Sequence, residues 1–237
     1  QVSNSLSLHE FHYELIKDDI PQLTVGMKRP DPQKPKYEFT AREYEPKRTQ
    51  GRPWPFDAPV RFYGFPDEVV AYHQNADFVQ ELNLRHEKLF NSLCYLGPLR
   101  TKTDRLYTWS GVEPENVGYA GENTIAAILA AHDRKISMGD KQKYHFLLEI
   151  VAKKLIQMGL IESFNVKAIS ETRQDYMVEV RPKGSPAPVD LPDVGFGISQ
   201  VLPVLVQCFY APAGSIIIME QPEIHLHPSA QSALADV

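Results

Sequence analysis

Ser215-Ile-Ile-Ile-Met-Glu-Gln-Pro-Glu-Ile-His-Leu-His-Pro228 is the stretch on which the fold turns. Its continuous apolar run, Ile216 to Met219, suits a strand buried on both faces of a parallel sheet. The run ends in Glu220-Gln221-Pro222-Glu223, which puts carboxylates at the carboxyl end of that strand. Open α/β sheets bind their ligands at this end. A carboxylate leaving a dry strand there can hold Mg²⁺, directly or through water, beside phosphate groups. Two other accounts fit the same residues. One is a strand running into an ordinary polar loop. The other is a Zn²⁺-dependent hydrolase, because Glu223, His225 and His227 stand at alternate positions and would share one face of a strand. Pro222 and Pro228 bracket those three residues and favour a loop.

Upstream lies Asp193-Val-Gly-Phe-Gly-Ile-Ser-Gln200, then an apolar helix expected over Val201 to Tyr210, then the turn Ala211-Pro-Ala-Gly214. Gly195 and Gly197 permit close backbone approach, and Ser199 with the free amides of a helix start can bond an anionic oxygen. A simple glycine-rich helix entry explains the same composition. The order, glycine turn, helix, buried strand, gives both segments their meaning.

In that order, Glu220 to Pro228 resembles the Walker B and D-loop region of the OLD-like and SMC-like ABC ATPases, whose pattern is an apolar strand, an acidic pair, Pro, Glu, then Leu-His-Pro. The resemblance puts Glu220 at the Mg²⁺-associated acid and Leu226-His227-Pro228 at the loop that crosses to a partner subunit. Gln221 stands where the catalytic glutamate of the family belongs, with Glu223 as the nearest spare carboxylate. A glutamine can position a water by hydrogen bonding, but it cannot act as a general base. The glycine turn, with Gly195, Gly197, Ser199 and Gln200, resembles the signature motif, which in that family contacts the γ-phosphate bound on the other protomer. Tyr95-Leu-Gly-Pro-Leu-Arg100 and Val117 to Glu122 are similar to a recurrent pair of segments in OLD-like ATPases. Arg100 is read either as a phosphate or nucleic-acid contact or as one half of a surface salt bridge. The resemblance spans about Leu93 to Val237. No Gly-x₄-Gly-Lys-Ser/Thr phosphate loop occurs in the sequence, and one is expected to precede it in the intact protein.

The fold class expected is therefore α/β: an incomplete P-loop NTPase, the ABC-type ATPase head, with a helical lobe and antiparallel β segments. Its parts are a β segment (1–28), a proline-rich insertion (29–65), a helical lobe that includes Tyr95 to Arg100 (66–160), and the signature and Walker B part of the core (161–237). Within them the patterns predict a strand over Ser5 to Ile16 with a bulge near His9, helices over Pro66 to Leu93, Glu122 to Arg134 and Lys141 to Met158, and a hairpin from Phe164 to Glu171 and Tyr176 to Arg181. The function implied is ATP binding and hydrolysis, with ATP and Mg²⁺ as cofactors and a second copy of the chain as partner. DNA and an effector nuclease are further implied partners, in DNA repair or anti-phage defence. A non-hydrolysing, ATP-dependent interaction scaffold is the alternative.

Composition is compatible with this. The 237 residues are 43% hydrophobic and 23% charged, enough for a packed core. A formal net charge of -5, from 25 basic and 30 acidic side chains, gives no sequence-wide attraction to nucleic acid or acidic membranes. Cys94 and Cys208 both lie in apolar runs, which predicts buried reduced thiols and a cytoplasmic setting. No run is long enough to span a membrane, and no signal-peptide pattern opens the chain. The non-Met start and an end inside an expected helix read as a fragment, inactive alone, with sheet edges left unpaired.

Overall fold

The computed structural model describes residues 7–49, 51, 55–137, 144–170 and 173–237. They form two compact units, Gln1–Asn91 and Ser92–Val237, each with an apolar cluster of its own.

The smaller unit holds an antiparallel sheet of β1 (Glu10–Lys17), β2 (Ile20–Lys28) and β3 (Glu38–Arg42), in that order, and two helices, α1 (Asp67–Ala71) and α2 (Phe78–Asn91). Asp18 and Asp19 join β1 to β2 with φ of 52° and 61°. Two successive left-handed residues match the right-handed twist of the strands they connect. The register slips between Leu15 and Ile16, so the irregularity lies at the turn end of β1 and not near His9. Ser5 and Leu6 of the expected strand lie outside the described residues, as does Pro53 of the proline-rich stretch. That stretch contributes β3 as an edge strand, the place in a sheet where flanking prolines are tolerated. Met27, Phe65, Val69 and Val79 are sealed in the core of this unit.

The larger unit begins with β4 (Leu93–Leu96) and β5 (Tyr107–Thr108), followed by α3 (Thr124–Ala130), β6 (Lys135–Ile136), β7 (His145–Phe146) and α4 (Leu147–Gln157). It continues through β8 (Ile161–Ser170), β9 (Arg173–Pro182), β10 (Val189–Asp190), α5 (Phe196–Tyr210), β11 (Ile216–Met219) and α6 (Pro228–Leu234). The expected hairpin is the long antiparallel pair β8 and β9, and β5 and β10 add short pairings to β9. Glu171 of that hairpin and 141–143 of the expected helix lie outside the described residues. Helix α4 ends where Gly159 takes a φ of 72°, the left-handed stop a glycine allows.

Helix α5 is the centre of this unit. It packs against α3, α4 and β11, and Val201, Leu202, Leu205 and Val206 are sealed from solvent. Each such side chain contributes about 1.5–3 kcal/mol by leaving water. Gln207, 1% exposed, accepts the Val117 amide at 3.0 Å and so ties the helix to the loop before α3. Gly121, with φ 80°, leaves room for Pro203: a β-carbon there would meet the proline ring at 2.6 Å. Pro203 has no N–H to offer the Ser199 carbonyl one turn back.

Two expectations change here. The helix starts at Phe196 rather than Val201, so Gly197, Ser199 and Gln200 belong to its first turns. The apolar strand β11 is not buried on both faces: it pairs in parallel with β4, and Ile216 and Ile218 are 46% and 47% exposed. Among the described residues β4 is its one partner, and α5 covers one face of it.

Candidate functional site

The register Ile216↔Leu93 through Met219↔Leu96 brings the carboxyl ends of β4 and β11 side by side. From there the two chains diverge into Gly97 to Arg100 and into Glu220 to His227. Gln221 and His225 both have left-handed backbones, φ 47° and 62°, so the corner turns sharply at both ends of Pro222-Glu223-Ile224. Non-glycine residues held there cost about 1–3 kcal/mol each and concentrate at functional sites. Glu223 accepts the Leu226 amide through its carbonyl at 3.1 Å, and its side chain is exposed.

The first turn of α5 meets this corner directly. A β-carbon on Gly197 would lie 2.9 Å from the His225 carbonyl, so glycine is what lets the two segments touch. Gly195 differs, because nothing lies within 4 Å of its added β-carbon. Its exposed backbone opens to solvent at the N-cap of the helix, where no side chain caps the first amides. The Ser199 hydroxyl donates to the Phe196 carbonyl at 2.9 Å.

Tyr95 of β4 and Arg100 of the segment after it complete the arrangement. The Tyr95 phenol donates to Glu220 Oε1, and that hydrogen bond, with desolvation, pushes its pKa up to about 12. Arg100 is 8% exposed, and its Nη2 donates to the Glu220 carbonyl at 3.1 Å. Among the described residues its Nε and Nη1 find no hydrogen-bond partner, and burial lowers its pKa. The alternative of a surface salt bridge for Arg100 is therefore corrected: it is buried, and among the described residues no carboxylate pairs with it. Arg100, Lys102, Phe196, Ser199, Gln200 and His225 line one cleft of about 440 Å³.

Residues 12–237 match the family model described as "AAA domain, putative AbiEii toxin, Type IV TA system". The chain belongs to this AAA family. AAA domains are nucleotide-binding ATPases, and that is the general class of this one; its mixed α/β architecture is compatible with it. No curated protein and no solved structure matches the chain.

Within the AAA domain, the two segments singled out in the sequence, Tyr95 to Arg100 and Val117 to Glu122, run together. Gly97 donates to the Tyr119 carbonyl and Thr101 to the Ala120 carbonyl, each at 2.8 Å. Glu220 and Gln221 stand at the end of β11, while Gly197, Ser199 and Gln200 face the neighbouring corner across His225. His227 stands apart in role: it is the N-cap of α6, its ring nitrogen accepting the Ser229 amide at 3.4 Å. Among the described residues no three His, Cys, Asp or Glu side chains converge as a metal set, and Glu223, His225 and His227 occupy a turn and a helix cap instead of one strand face. Among those residues, too, no helix is long and apolar enough to cross a membrane.

Sequence reasoning missed the role of Tyr95 and left Arg100 between an anion contact and a surface salt bridge. Tyr95 pairs in register with Ile218, one residue before Met219 and two before Glu220. The pairing of YLGPLR with the apolar strand was the signal that would have found it.

Proposed function

We propose that this AAA domain is part of an ABC-type ATPase head of the OLD-like and SMC-like kind, which closes as a dimer around ATP and hydrolyses it. The observation that carries the reading is the contact of Gly197 with the His225 carbonyl, which sets the first turn of α5 against the acidic corner after β11. In this reading Glu220 would hold Mg²⁺, a cation that keeps few protein ligands and that would neutralise charge at the phosphates. Gln221 orients the attacking water through its amide, and Glu223 is the adjacent carboxylate that can take a proton. Gly195, Gly197, Ser199 and Gln200 present amides and polar side chains to the phosphate bound by the second copy. For Ser199 this requires the hydroxyl to turn from the Phe196 carbonyl. His227 caps the helix that follows the crossing loop.

The setting proposed is cytoplasmic defence or DNA repair, with DNA and an effector nuclease as partners. The toxin–antitoxin wording of the family description supports the defence side. The scaffold reading draws on Gln221, which replaces an acid in the hydrolytic position.

Mg²⁺-dependent ATP turnover by the intact protein tests the proposal with Glu220→Gln and Ser199→Arg, each alone and mixed. Each variant alone is expected to lose at least ten-fold in rate, about 1.4 kcal/mol of barrier, with partial recovery on mixing. Turnover indifferent to both substitutions would overturn these residue roles, and nucleotide binding without turnover in the unsubstituted protein would leave the scaffold.

A further inference from the structure

Arg100 is a cation that the fold has buried with no acid among the described residues to answer it. Its relative exposure is 8%, one nitrogen is engaged by the Glu220 carbonyl, and the other two have no partner among the described residues. Polar groups in that state are rare in folded proteins because each forfeits its hydration. A guanidinium is also a planar fork of donors suited to carboxylate or phosphate oxygens, and it stays charged at neutral pH.

The surroundings select the anion. Arg100 lines the same cleft as the first turn of α5, where Gly195 leaves the leading amides without a side-chain cap. A helix of 15 residues presents its positive end there. Lys102 adds an exposed ammonium at the rim. The acids nearest the helix start are occupied: Arg105 holds Asp193 at 2.8 Å through two nitrogens and Asp190 at 2.8 Å through one. The cleft is left with two cations, a helix N-terminus and His225, and among the described residues no carboxylate lines it.

We infer that this cleft is an oxyanion site for a phosphate group, in which Arg100 and Lys102 supply the charge and the α5 amides the hydrogen bonds. The identity of the phosphate as the terminal group of a nucleotide rests on the ATPase reading above; the oxyanion site itself rests on Arg100 and the helix. Since the same guanidinium is fastened to the Glu220 carbonyl, an anion in the cleft and the carboxyl end of β11 share one cation. Arg100 thereby becomes a positioning residue for Glu220 as well as a ligand.

Isothermal titration of the intact protein with tripolyphosphate, and separately with orthophosphate, reads the site without any turnover. Arg100→Gln is expected to weaken tripolyphosphate binding by at least about ten-fold, with Arg100→Lys recovering part of it. Because a buried position can affect folding, Lys102→Ala is measured alongside. It is exposed, and a loss of about three-fold or more is expected from one rim charge. Tight orthophosphate binding would name free phosphate as the source, and selective tripolyphosphate and ATP binding the nucleotide. Unchanged affinity in both Lys102→Ala and folded Arg100→Gln would overturn the inference. If those variants lose oxyanion binding while mixed Glu220→Gln and Ser199→Arg proteins show no shared site, the dimer reading fails and the oxyanion site stands. If the shared site appears and oxyanion binding ignores Arg100 and Lys102, the reverse holds.

Discussion

The two glycines of the turn before α5 have the same residue type and opposite reasons for it. Gly197 is glycine because the His225 carbonyl occupies the space of a β-carbon, whereas Gly195 faces open solvent with an ordinary φ of -58°. Gly197→Ala is therefore expected to cost about 1–3 kcal/mol through overpacking against backbone, a loss only partly offset by alanine's helix propensity of about 1 kcal/mol. Gly195→Ala is expected to change stability by less than about 1 kcal/mol, since the N-cap preference is its one structural consequence. Urea unfolding measures both, and any loss of ATP turnover in Gly195→Ala at intact stability reports an approaching ligand. These glycines, Ser199 and the acids at 220 and 223 were legible in the sequence because their signals are local: a turn, a helix start, the end of an apolar run. Arg100 was not, because nothing in its neighbours says that a residue 120 positions away offers it a carbonyl.

At the scale of elements, β4 and β11 are two short parallel strands whose ends are cross-linked by Tyr95 and Glu220. The pKa of Tyr95 is raised from 10.0 to about 12 in the folded protein, by the carboxylate it bonds and by desolvation. The protonated phenol is thus favoured by folding. Its stabilisation is fully present below pH 10.0 and is lost as pH climbs from 10.0 through about 12. A spectrophotometric titration is expected to show Tyr95 and Tyr210, the latter also pushed up to about 12 by burial, ionising after the rest. In Tyr95→Phe one of those late steps disappears, and the thermal midpoint falls less steeply across the same alkaline window. A wild-type titration without late steps would refute the cross-link. The hairpin and the cores of the helices followed from periodicity, but His145 and Phe146 of the helix expected from Lys141 form β7, and the half-exposure of β11 was not foreseen. An apolar run states that a strand avoids water, and the number of layers covering it is decided by elements far away in sequence.

The whole molecule has two cores that share no member: Phe65, Met27 and Val69 in one, Leu155, Leu202 and Leu205 in the other. Phe65→Ala removes about 3–5 kcal/mol of packing from the smaller unit alone. Hydrogen exchange is expected to quicken across β1 to β3 and α1 to α2 while α4, α5 and the β8–β9 pair keep their protection. Uniform acceleration would mean that the chain unfolds as one. The boundary at Asn91 was not legible, because α2 runs straight to it and β4 begins two residues later, with no linker composition between. Both cysteines fall on the far side of that boundary. Cys94 is buried on β4 and Cys208 half-buried on α5, and desolvation raises the pKa of each. A thiol kept protonated and covered is inert until its surroundings open. The rate at which a maleimide consumes the buried Cys94, in a protein whose half-buried Cys208 is replaced, is therefore a clock for the opening of residues 92–237, and it keeps no time for residues 1–91.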